Sequence, residues 1–215
     1  IGWDVPATNS NVDATNVFGT RSISETVYPA AKTAYDNLIA RGWTITGLTW
    51  TAVSETHVFL LAGQSNMVGR ATFDSGAGYP AGTLQYPQAT GYPTYTDTTT
   101  IAAAPILGHW DGVAGDMGLA INFAIDYVAA TGAQVVFIPA ADGGTGFVSN
   151  NWNPGDTQYD HAVNATNALM TANPDWIFKG ILWHQGERDS TNGAFEQQFY
   201  LMIQQMREDI KQATQ

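Results

Sequence analysis

Short apolar runs alternate with helical patterns along most of the chain. Three runs have the length and the flanking residues of buried strands, and they span residues 58–62, 135–138 and 177–183. Apolar positions spaced by three and four residues predict helices over 117–132, 156–172 and 195–210. Strands that alternate with helices predict an α/β fold. We expect a parallel sheet covered by helices on both faces.

The amino-terminal part follows a different pattern. Residues 1 to about 24 are rich in Asn, Thr, Asp and Ser and predict loop or linker. A helix is predicted between Pro29 and Gly42, and the alternation over 43–50 predicts a strand. Residues 69–108 show little periodicity and predict a long surface excursion. The predicted organisation is a linker with a helix-strand appendage over 1–55 and a main domain over 56–215.

A polar cluster follows each predicted buried strand. The three clusters are Gly63-Gln64-Ser65-Asn66-Met67, Asp142-Gly143-Gly144-Thr145-Gly146 and His184-Gln185-Gly186-Glu187-Arg188-Asp189. Parallel strands joined by helices point the same way, and ligands of such sheets bind at the carboxyl ends of the strands. The three clusters are therefore expected to converge at one edge of the sheet.

Ser65 lies between a predicted strand and a short helix, where its hydroxyl can be exposed. Backbone N–H groups of the same turn can stabilise an oxyanion, so one turn can offer a nucleophile and part of an oxyanion hole. The alternative is that Ser65 caps the helix and satisfies its unpaired amides.

The other two clusters also allow two interpretations. Gly143 and Gly144 let the backbone approach a ligand and offer a second oxyanion donor, or they form a plain turn. No Gly-Lys-Ser/Thr sequence follows them, which argues against a phosphate loop. Gln185 and Glu187 can face the same way, one stabilising negative charge and the other orienting a histidine. Otherwise Glu187 forms an ion pair with Arg188 or another cation. On the same alternation we expect His184 to be a buried structural residue.

The three clusters together resemble the sialate O-acetylesterase and acetyl xylan esterase group of the SGNH hydrolases, also called carbohydrate esterase family six. The resemblance covers roughly residues 57–212 and implies a flavodoxin-like, three-layer α/β fold. It implies Ser65 as the nucleophile and Glu187 as the catalytic acidic residue, with oxyanion donors at the Ser65 amide, Gly144 and Gln185. Four further residues are expected to contact the substrate: Gln64, Asn66, His109 and Thr145.

One feature departs from that group, whose catalytic histidine lies in an Asp-x-x-His motif after one further strand. None of the four histidines of this chain has Asp three residues before it. We therefore expect either that the chain is truncated before this strand or that the base comes from elsewhere. The best internal substitute from the sequence is His109, within Gly108-His109-Trp110-Asp111-Gly112.

Composition restricts the possible partners. The chain has 8 Lys and Arg and 19 Asp and Glu, which gives a formal net charge of −11. This charge disfavours nucleic acids and anionic membranes as partners. Seven Trp and nine Tyr suit a polysaccharide or glycan, because aromatic faces stack on sugar rings, although ordinary core and turn packing accounts equally for each of them. The resemblance implies that this polysaccharide or glycan is acetylated. The absence of cysteine excludes disulfides and thiolate chemistry. No His and Asp cluster at metal-binding spacing is visible, and no metal or cofactor is expected. The amino-terminal segment suggests that the main domain is mounted on a larger extracellular or virion-tail protein. A virion-tail origin would favour a trimer.

Two hypotheses follow. The first is a serine esterase that removes O-acetyl groups from a carbohydrate through an acetyl-enzyme intermediate. The second is a non-catalytic glycan-binding or structural module of a phage tail or bacterial surface protein that keeps the SGNH fold. The intact oxyanion motifs favour the first.

Overall fold

The computed structural model describes residues 11–13, 21–24, 29–46, 48–51, 55–72, 78–88, 98–110 and 117–210. Contacts divide the chain into two compact units, residues 1–54 and 55–215. Within the described residues, no helix combines the length and the apolarity that crossing a bilayer requires.

In its described residues, the first unit contains one helix and four short strands: β1 (Asn11–Asp13), β2 (Arg21–Ser24), α1 (Pro29–Ala40), β3 (Thr44–Thr46) and β4 (Leu48–Thr51). Strand β1 pairs in parallel with β3, and β2 pairs in parallel with β4. The helix was predicted correctly. The loop assigned to residues 1–24 was wrong at β1 and β2, because pairing with later strands, rather than composition, makes these polar segments extended. The single strand predicted over 43–50 is instead two strands, β3 and β4.

The second unit is a five-stranded sheet with four helices in its described part. Its elements are β5 (Thr56–Gly63), α2 (Ser65–Val68), β6 (Leu84–Gln85), β7 (Ile101–Ala102), α3 (Ala120–Thr131), β8 (Gln134–Pro139), α4 (Thr157–Ala172), β9 (Ile177–His184) and α5 (Phe195–Asp209). The strand order is β7-β6-β8-β5-β9, and every neighbouring pair is parallel except β6 with β7. The predicted α/β class is confirmed.

The long excursion over 69–108 contains more structure than its sequence predicts. Strands β6 and β7 extend the sheet beyond β8, and β6 pairs in parallel with β8 at Leu84 and Gln85. Each strand has only two residues, too few for a period of two to be visible in the sequence.

The sheet has a hydrophobic cluster on each face. Successive residues of a strand point to opposite faces, so β5 contributes Val58 and Leu60 to one cluster and Phe59 and Leu61 to the other. Helices α4 and α5 cover the first face, and α2 and α3 cover the second. Burial on both faces explains why β5 and β8 read as continuous apolar runs. The parallel pairing of β8, β5 and β9 places their carboxyl ends at one edge.

Candidate active site

Three connections leave the carboxyl edge of the sheet side by side. Strand β5 lies between β8 and β9, and all three run parallel. We call residues 64–69 the serine turn, residues 140–156 the β8 loop and residues 185–194 the β9 loop. The predicted convergence of the three polar clusters follows from this order, because the middle strand carries the serine turn.

Ser65 is the first residue of the short helix α2, and it is partly exposed. The residue in the cap position is Gln64, and no side chain caps this helix, so the alternative of a capping serine is not observed. Met67 and Val68 are buried and hold the turn against the sheet. Among the described residues, none forms a hydrogen bond with the Ser65 hydroxyl. The hydroxyl is therefore available to a ligand.

The end of β5 passes very close to the end of β9. A Cβ added to Gly63 would lie 2.1 Å from the backbone oxygen of His184, and Gly63 has a φ of +133°. Only glycine fits this position. The next residue continues the contact, because Gln64 N donates to the His184 backbone oxygen at 3.0 Å. The serine turn is thus fixed to the last residue of β9.

Gln64 ties the serine turn to the β9 loop. Its side chain is buried, and its Oε1 accepts hydrogen bonds from Arg188 N at 3.0 Å and from Gln185 Nε2 at 3.3 Å. These bonds hold Gln64 within the protein. The predicted contact between Gln64 and substrate stays a prediction.

Gln185 and Asp189 connect the β9 loop to the β8 loop. Gln185 Nε2 donates to Asp189 Oδ2 at 2.6 Å and to the Thr145 backbone oxygen at 3.2 Å. Asp189 is 3% exposed and also accepts hydrogen bonds from Phe147 N at 2.9 Å and Val148 N at 3.0 Å. Burial raises the pKa of its carboxyl, but the hydrogen bonds outweigh burial and the net effect lowers the pKa. We did not predict this role, although Asp189 ends the third polar cluster.

Gly144 and Thr145 occupy adjacent positions of the β8 loop with opposite exposure. Gly144 is exposed with a φ of +74°, and its N–H donates to no acceptor among the described residues. Thr145 is buried, its hydroxyl donates to the Asp142 backbone oxygen at 2.7 Å and it accepts from Trp152 Nε1 at 2.9 Å. The threonine therefore fixes the loop that presents the Gly144 amide.

Glu187 lies between Asn66 and His184. Asn66 Nδ2 donates to Glu187 Oε1, and His184 Nε2 lies 4.0 Å from the same oxygen. These are the partners of Glu187, rather than the Arg188 of the alternative interpretation. Asn66 directly follows Ser65, so this group of side chains begins at the serine turn.

The prediction that His184 is buried was wrong, because its side chain is 48% exposed. Alternation along β9 does turn His184 away from Trp183 and onto the face of Leu182, which packs with the α2 and α3 cluster. However, β9 ends at His184, and Leu182 is the last residue of β9 that packs with that cluster.

The other histidines have protein partners or are buried. His109 is buried, and its Nδ1 accepts a hydrogen bond from Ala141 N at 3.2 Å. Burial, aided by the charge of Arg70, lowers the pKa of His109 to about 3, so the ring is neutral. His161 is buried on α4 beside Trp110, and burial lowers its pKa to about 4. His57 contacts Glu55 and Tyr127 at the start of β5.

A cavity of about 430 Å³ opens beside the serine turn. Polar side chains line part of this cavity, and apolar residues at the start of α3 line another part. Its lining residues are Asn66, Arg70, Ala71, Met117, Gly118, Leu119, Asn122 and His184. A cavity of this size and mixed character suits a small polar organic group.

A second cavity of about 340 Å³ lies between β9 and α5, lined by Trp183, Phe199 and Met202 among others. It contains no side chain of the serine turn, the β8 loop or the β9 loop, so we do not place the chemistry there. Within the described part of the chain, no group of three or more His, Asp or Glu residues is arranged to hold a metal ion.

Two similar solved structures, with TM-scores of 0.60 and 0.61, show the same fold. An Arabidopsis thaliana protein solved by X-ray crystallography is 22% identical, with a TM-score of 0.60 over 72% of this chain and 68% of its own. The protein NanS is 20% identical, with a TM-score of 0.61 over 75% of this chain and 65% of its own. A carbohydrate acetylesterase from Xanthomonas citri is 20% identical, with a TM-score of 0.46 over 76% of this chain and 40% of its own.

Comparison by sequence is more specific. A search of curated proteins gave no significant match. A family profile matches residues 55–214, which is nearly the whole second unit. Its description is "Carbohydrate esterase, sialic acid-specific acetylesterase", in agreement with the resemblance seen in the three polar clusters. The chain therefore belongs to this family of carbohydrate O-acetylesterases.

Proposed function

We propose that this chain is a serine esterase that removes O-acetyl groups from an acetylated carbohydrate through an acetyl-enzyme intermediate. The observation that carries the proposal is the position of Ser65. It is a partly exposed serine that follows the carboxyl end of β5, the strand between β8 and β9. The β9 loop is bonded to its turn at Gln64, and the β8 loop is bonded to Gly63 at the end of β5. A serine with an unbonded hydroxyl in such a turn suits nucleophilic attack on a carbonyl carbon.

The proposed reaction begins when Ser65 Oγ attacks the acetyl carbonyl and negative charge develops on the carbonyl oxygen. The Ser65 N–H, in the first turn of α2, has no intrahelical acceptor. The Gly144 N–H also has no acceptor among the described residues. Two such amides suit an oxyanion, because preorganised donors need no rearrangement as the charge forms. We assign the first two oxyanion donors to these groups.

The third proposed donor is Gln185 Nε2, which carries two hydrogens and has three protein acceptors within 3.3 Å. The longest of these contacts, 3.3 Å to Gln64 Oε1, is the one that the substrate oxygen would replace. Gln64 Oε1 would then keep its bond from Arg188 N, so the exchange would leave no acceptor unpaired.

Glu187 is the proposed acidic member of the catalytic group, and its role is to orient a histidine and to stabilise its protonated form. The side-chain amide of Asn66 holds the Glu187 carboxylate. The hydrogen bonds of Thr145 and the burial of His109 favour a role for both residues in holding the site in place. The substrate contacts predicted for these two residues stay predictions.

The test is acetate release from an O-acetylated sialic acid and from p-nitrophenyl acetate. We compare the unmodified chain with Ser65→Ala, and Ser190→Ala serves as a matched control on the exposed surface of the β9 loop. Ser65→Ala should lower kcat by at least about 10³-fold, while Ser190→Ala should not change it. Equal rates for Ser65→Ala and the unmodified chain would reject the serine mechanism.

The same purified protein also tests the non-catalytic alternative. Binding of an acetylated glycan without acetate release, and without labelling of Ser65 by a fluorophosphonate, would favour a binding module. An extracellular or virion-tail setting and a trimeric assembly remain proposals from the sequence. Analytical ultracentrifugation of the purified chain tests the trimer.

A further inference from the structure

We infer that Arg70 binds a carboxylate of the substrate, so that this chain selects acidic acetylated sugars over neutral ones. This inference rests on the proposed esterase function and deepens it, because the acetyl group itself is the same in acidic and neutral sugars. Sialic acids and uronic acids share the required chemistry, a carboxylate on the sugar. The binding position is the cavity of about 430 Å³ beside the serine turn, a size within the usual range for small-molecule sites.

Backbone contacts on both sides fix the position of Arg70. Before it in the chain, Gly69 N donates to the Ser65 backbone oxygen at 3.0 Å. After it, Ala71 pairs with Met117, where Ala71 N donates to Met117 O at 3.2 Å and Met117 N donates to Ala71 O at 2.9 Å. Arg70 therefore lies between the turn of the proposed nucleophile and the segment that leads into α3.

The segment that leads into α3 packs directly on the serine turn. A Cβ added to Gly118 would lie 2.8 Å from the Met67 backbone oxygen, so glycine allows this close approach. The adjacent Leu119 lines the cavity with apolar surface. Because Asn66 also lines the cavity, a ligand bound there lies against the turn that carries Ser65.

Arg70 gives the cavity a positive charge. Its side chain is exposed, and its Nη1 donates to the Gly69 backbone oxygen at 2.8 Å. The chain contains 19 Asp and Glu, yet within its described residues none of them lines the cavity. A guanidinium has five N–H donors in a planar fork, so it can keep the bond to Gly69 and also bind both oxygens of a carboxylate. The charge and the donor geometry therefore favour a carboxylate over a neutral group.

The remaining polar groups of the cavity suit the hydroxyl groups of a sugar. They are the side-chain amides of Asn66 and Asn122 and the imidazole of His184, which can both donate and accept hydrogen bonds. Glu187 contacts Asn66 and His184 without lining the cavity itself, so its negative charge acts on that part of the cavity. The carboxylate of a ligand therefore belongs at Arg70 rather than beside Asn66 and His184.

A second arginine, Arg188, lies in the β9 loop but does not line the cavity. Its backbone N donates to Gln64 Oε1 at 3.0 Å, and a Cβ added to Gly146 would lie 2.8 Å from its Cγ. The stem of its side chain therefore packs beside the β8 loop, although the residue is exposed. Arg188→Gln is the comparison that asks which of the two arginines binds the carboxylate.

The first experiment measures acetate release from matched acidic and neutral substrates. O-acetylated N-acetylneuraminic acid and O-acetylated glucuronic acid are each compared with their carboxamides, and p-nitrophenyl acetate is the substrate without a sugar. Arg70→Gln should lower kcat/KM for the preferred acid by about 10- to 100-fold, chiefly through KM, because hydrogen bonds to a charged group are lost. The carboxamides and p-nitrophenyl acetate should keep their rates. Arg207→Gln, which removes the same charge from the exposed surface of α5, should change none of them.

The second experiment needs no turnover. Calorimetry measures the binding of N-acetylneuraminic acid, glucuronic acid and their carboxamides to Ser65→Ala. At least one acid should bind about 10- to 100-fold more tightly than its carboxamide, and the difference should disappear when Arg70→Gln is added. Arg70→Lys keeps the charge but not the planar fork, so it should retain part of the difference. Thermal unfolding reports whether each variant is folded.

Three results would overturn the inference. The first is equal binding of each acid and its carboxamide, which decides the question even if the Arg70 variants misfold. The second is an equal fall in kcat/KM for acid, carboxamide and p-nitrophenyl acetate in Arg70→Gln, which indicates that Arg70 supports the serine turn instead. The third is loss of the acid preference in Arg188→Gln but not in Arg70→Gln. Preferred binding of an acid, without acetate release from the unmodified chain, would reject the proposed function and leave the carboxylate site in place.

Discussion

Asp189 Oδ2 lies 2.6 Å from Gln185 Nε2, and the same carboxylate accepts the backbone amides of Phe147 and Val148. One buried side chain therefore joins the β8 loop, which carries Gly144, to the β9 loop, which carries Glu187. Because every bond to it comes from a donor, the site needs a carboxylate with acceptor-only oxygens at this position. The geometry of the proposed oxyanion hole depends on Asp189, although Asp189 need not touch the substrate.

We predict that Asp189→Asn destabilises the protein and lowers its activity. The new NH₂ group would face donors, and the charge-assisted hydrogen bonds would be lost, at a cost of about 1–3 kcal/mol. Displacement of Gly144 and Gln185 by even about 1 Å should lower kcat about 10²-fold. Urea unfolding and acetate release measure the two effects. The control Asp126→Asn, at an exposed position of α3, should change stability by less than about 0.5 kcal/mol.

The stabilisation from Asp189 should depend on pH in a defined direction. Its pKa is lowered from 3.8, so the folded state holds the carboxyl in its charged form. The contribution should be complete above the unfolded pKa of about 3.9 and be lost as the pH falls through the folded pKa. The stability difference between Asp189→Asn and the unmodified protein should therefore shrink below about pH 4. A difference that grows on acidification would contradict this ionisation state.

Two glycines of the site should tolerate alanine very differently. A Cβ on Gly63 would meet the His184 backbone oxygen at 2.1 Å, in addition to the strain of a φ of +133°. Gly63→Ala should lose about 3 kcal/mol or more of stability, or fail to fold. Gly144 has a φ of +74° but no atom within 4 Å of a Cβ, so Gly144→Ala should lose only about 1–2 kcal/mol. Thermal unfolding of both variants checks the order, and equal losses would contradict it.

The hydroxyl of Thr145 should be required for the β8 loop. Thr145→Val keeps the shape but removes the acceptor of Trp152 Nε1, whose side chain is fully buried. An unsatisfied buried donor costs about 1–3 kcal/mol, so we expect that loss in urea unfolding together with a lower kcat. Thr145→Ser keeps the hydroxyl and should stay much closer to the unmodified protein. The hypothesis fails if Val and Ser have the same effect.

The sheet and its helices were predictable because their signals are local. A short apolar run such as that of β5 is compatible with few structures other than a strand buried on both faces. The neighbouring positions of the three loops that carry Ser65, Gly144 and Gln185 followed from parallel strands alone. Strands β1 and β2 were not predictable, because their polar residues become extended only through partners that come later in the chain.

The finer arrangement of the site was predictable only in part. Alternation along β9 gave the side of the sheet for His184, but not its exposure at the last position of the strand. For Asp189, the sequence shows a carboxylate near a strand end. Its role depends on two amides more than 40 residues away, at Phe147 and Val148. Hydrogen bonds between loops that are distant in sequence carry no periodic signal.

The last prediction concerns acid stability, and it follows from two buried histidines. The pKa of His109 is lowered to about 3 and that of His161 to about 4, chiefly by burial. An unfolded histidine titrates near 6.5, so between that pH and the folded pKa only the unfolded state gains the proton. The stabilisation is therefore complete above about pH 6.5 and is lost as the pH falls, by about 1.4 kcal/mol per pH unit for each ring.

Replacement of one ring should remove about half of this slope between pH 6.5 and 4.5. In His109→Asn, the amide oxygen can accept the Ala141 N–H that Nδ1 accepts now. In His161→Phe, a ring of similar size stays beside Trp110. Urea unfolding at several pH values gives the slopes, and proton NMR follows the two imidazoles in the folded protein. If either imidazole titrates near pH 6.5 while the protein remains folded, the assigned neutral state is wrong, because burial would then not penalise its charge.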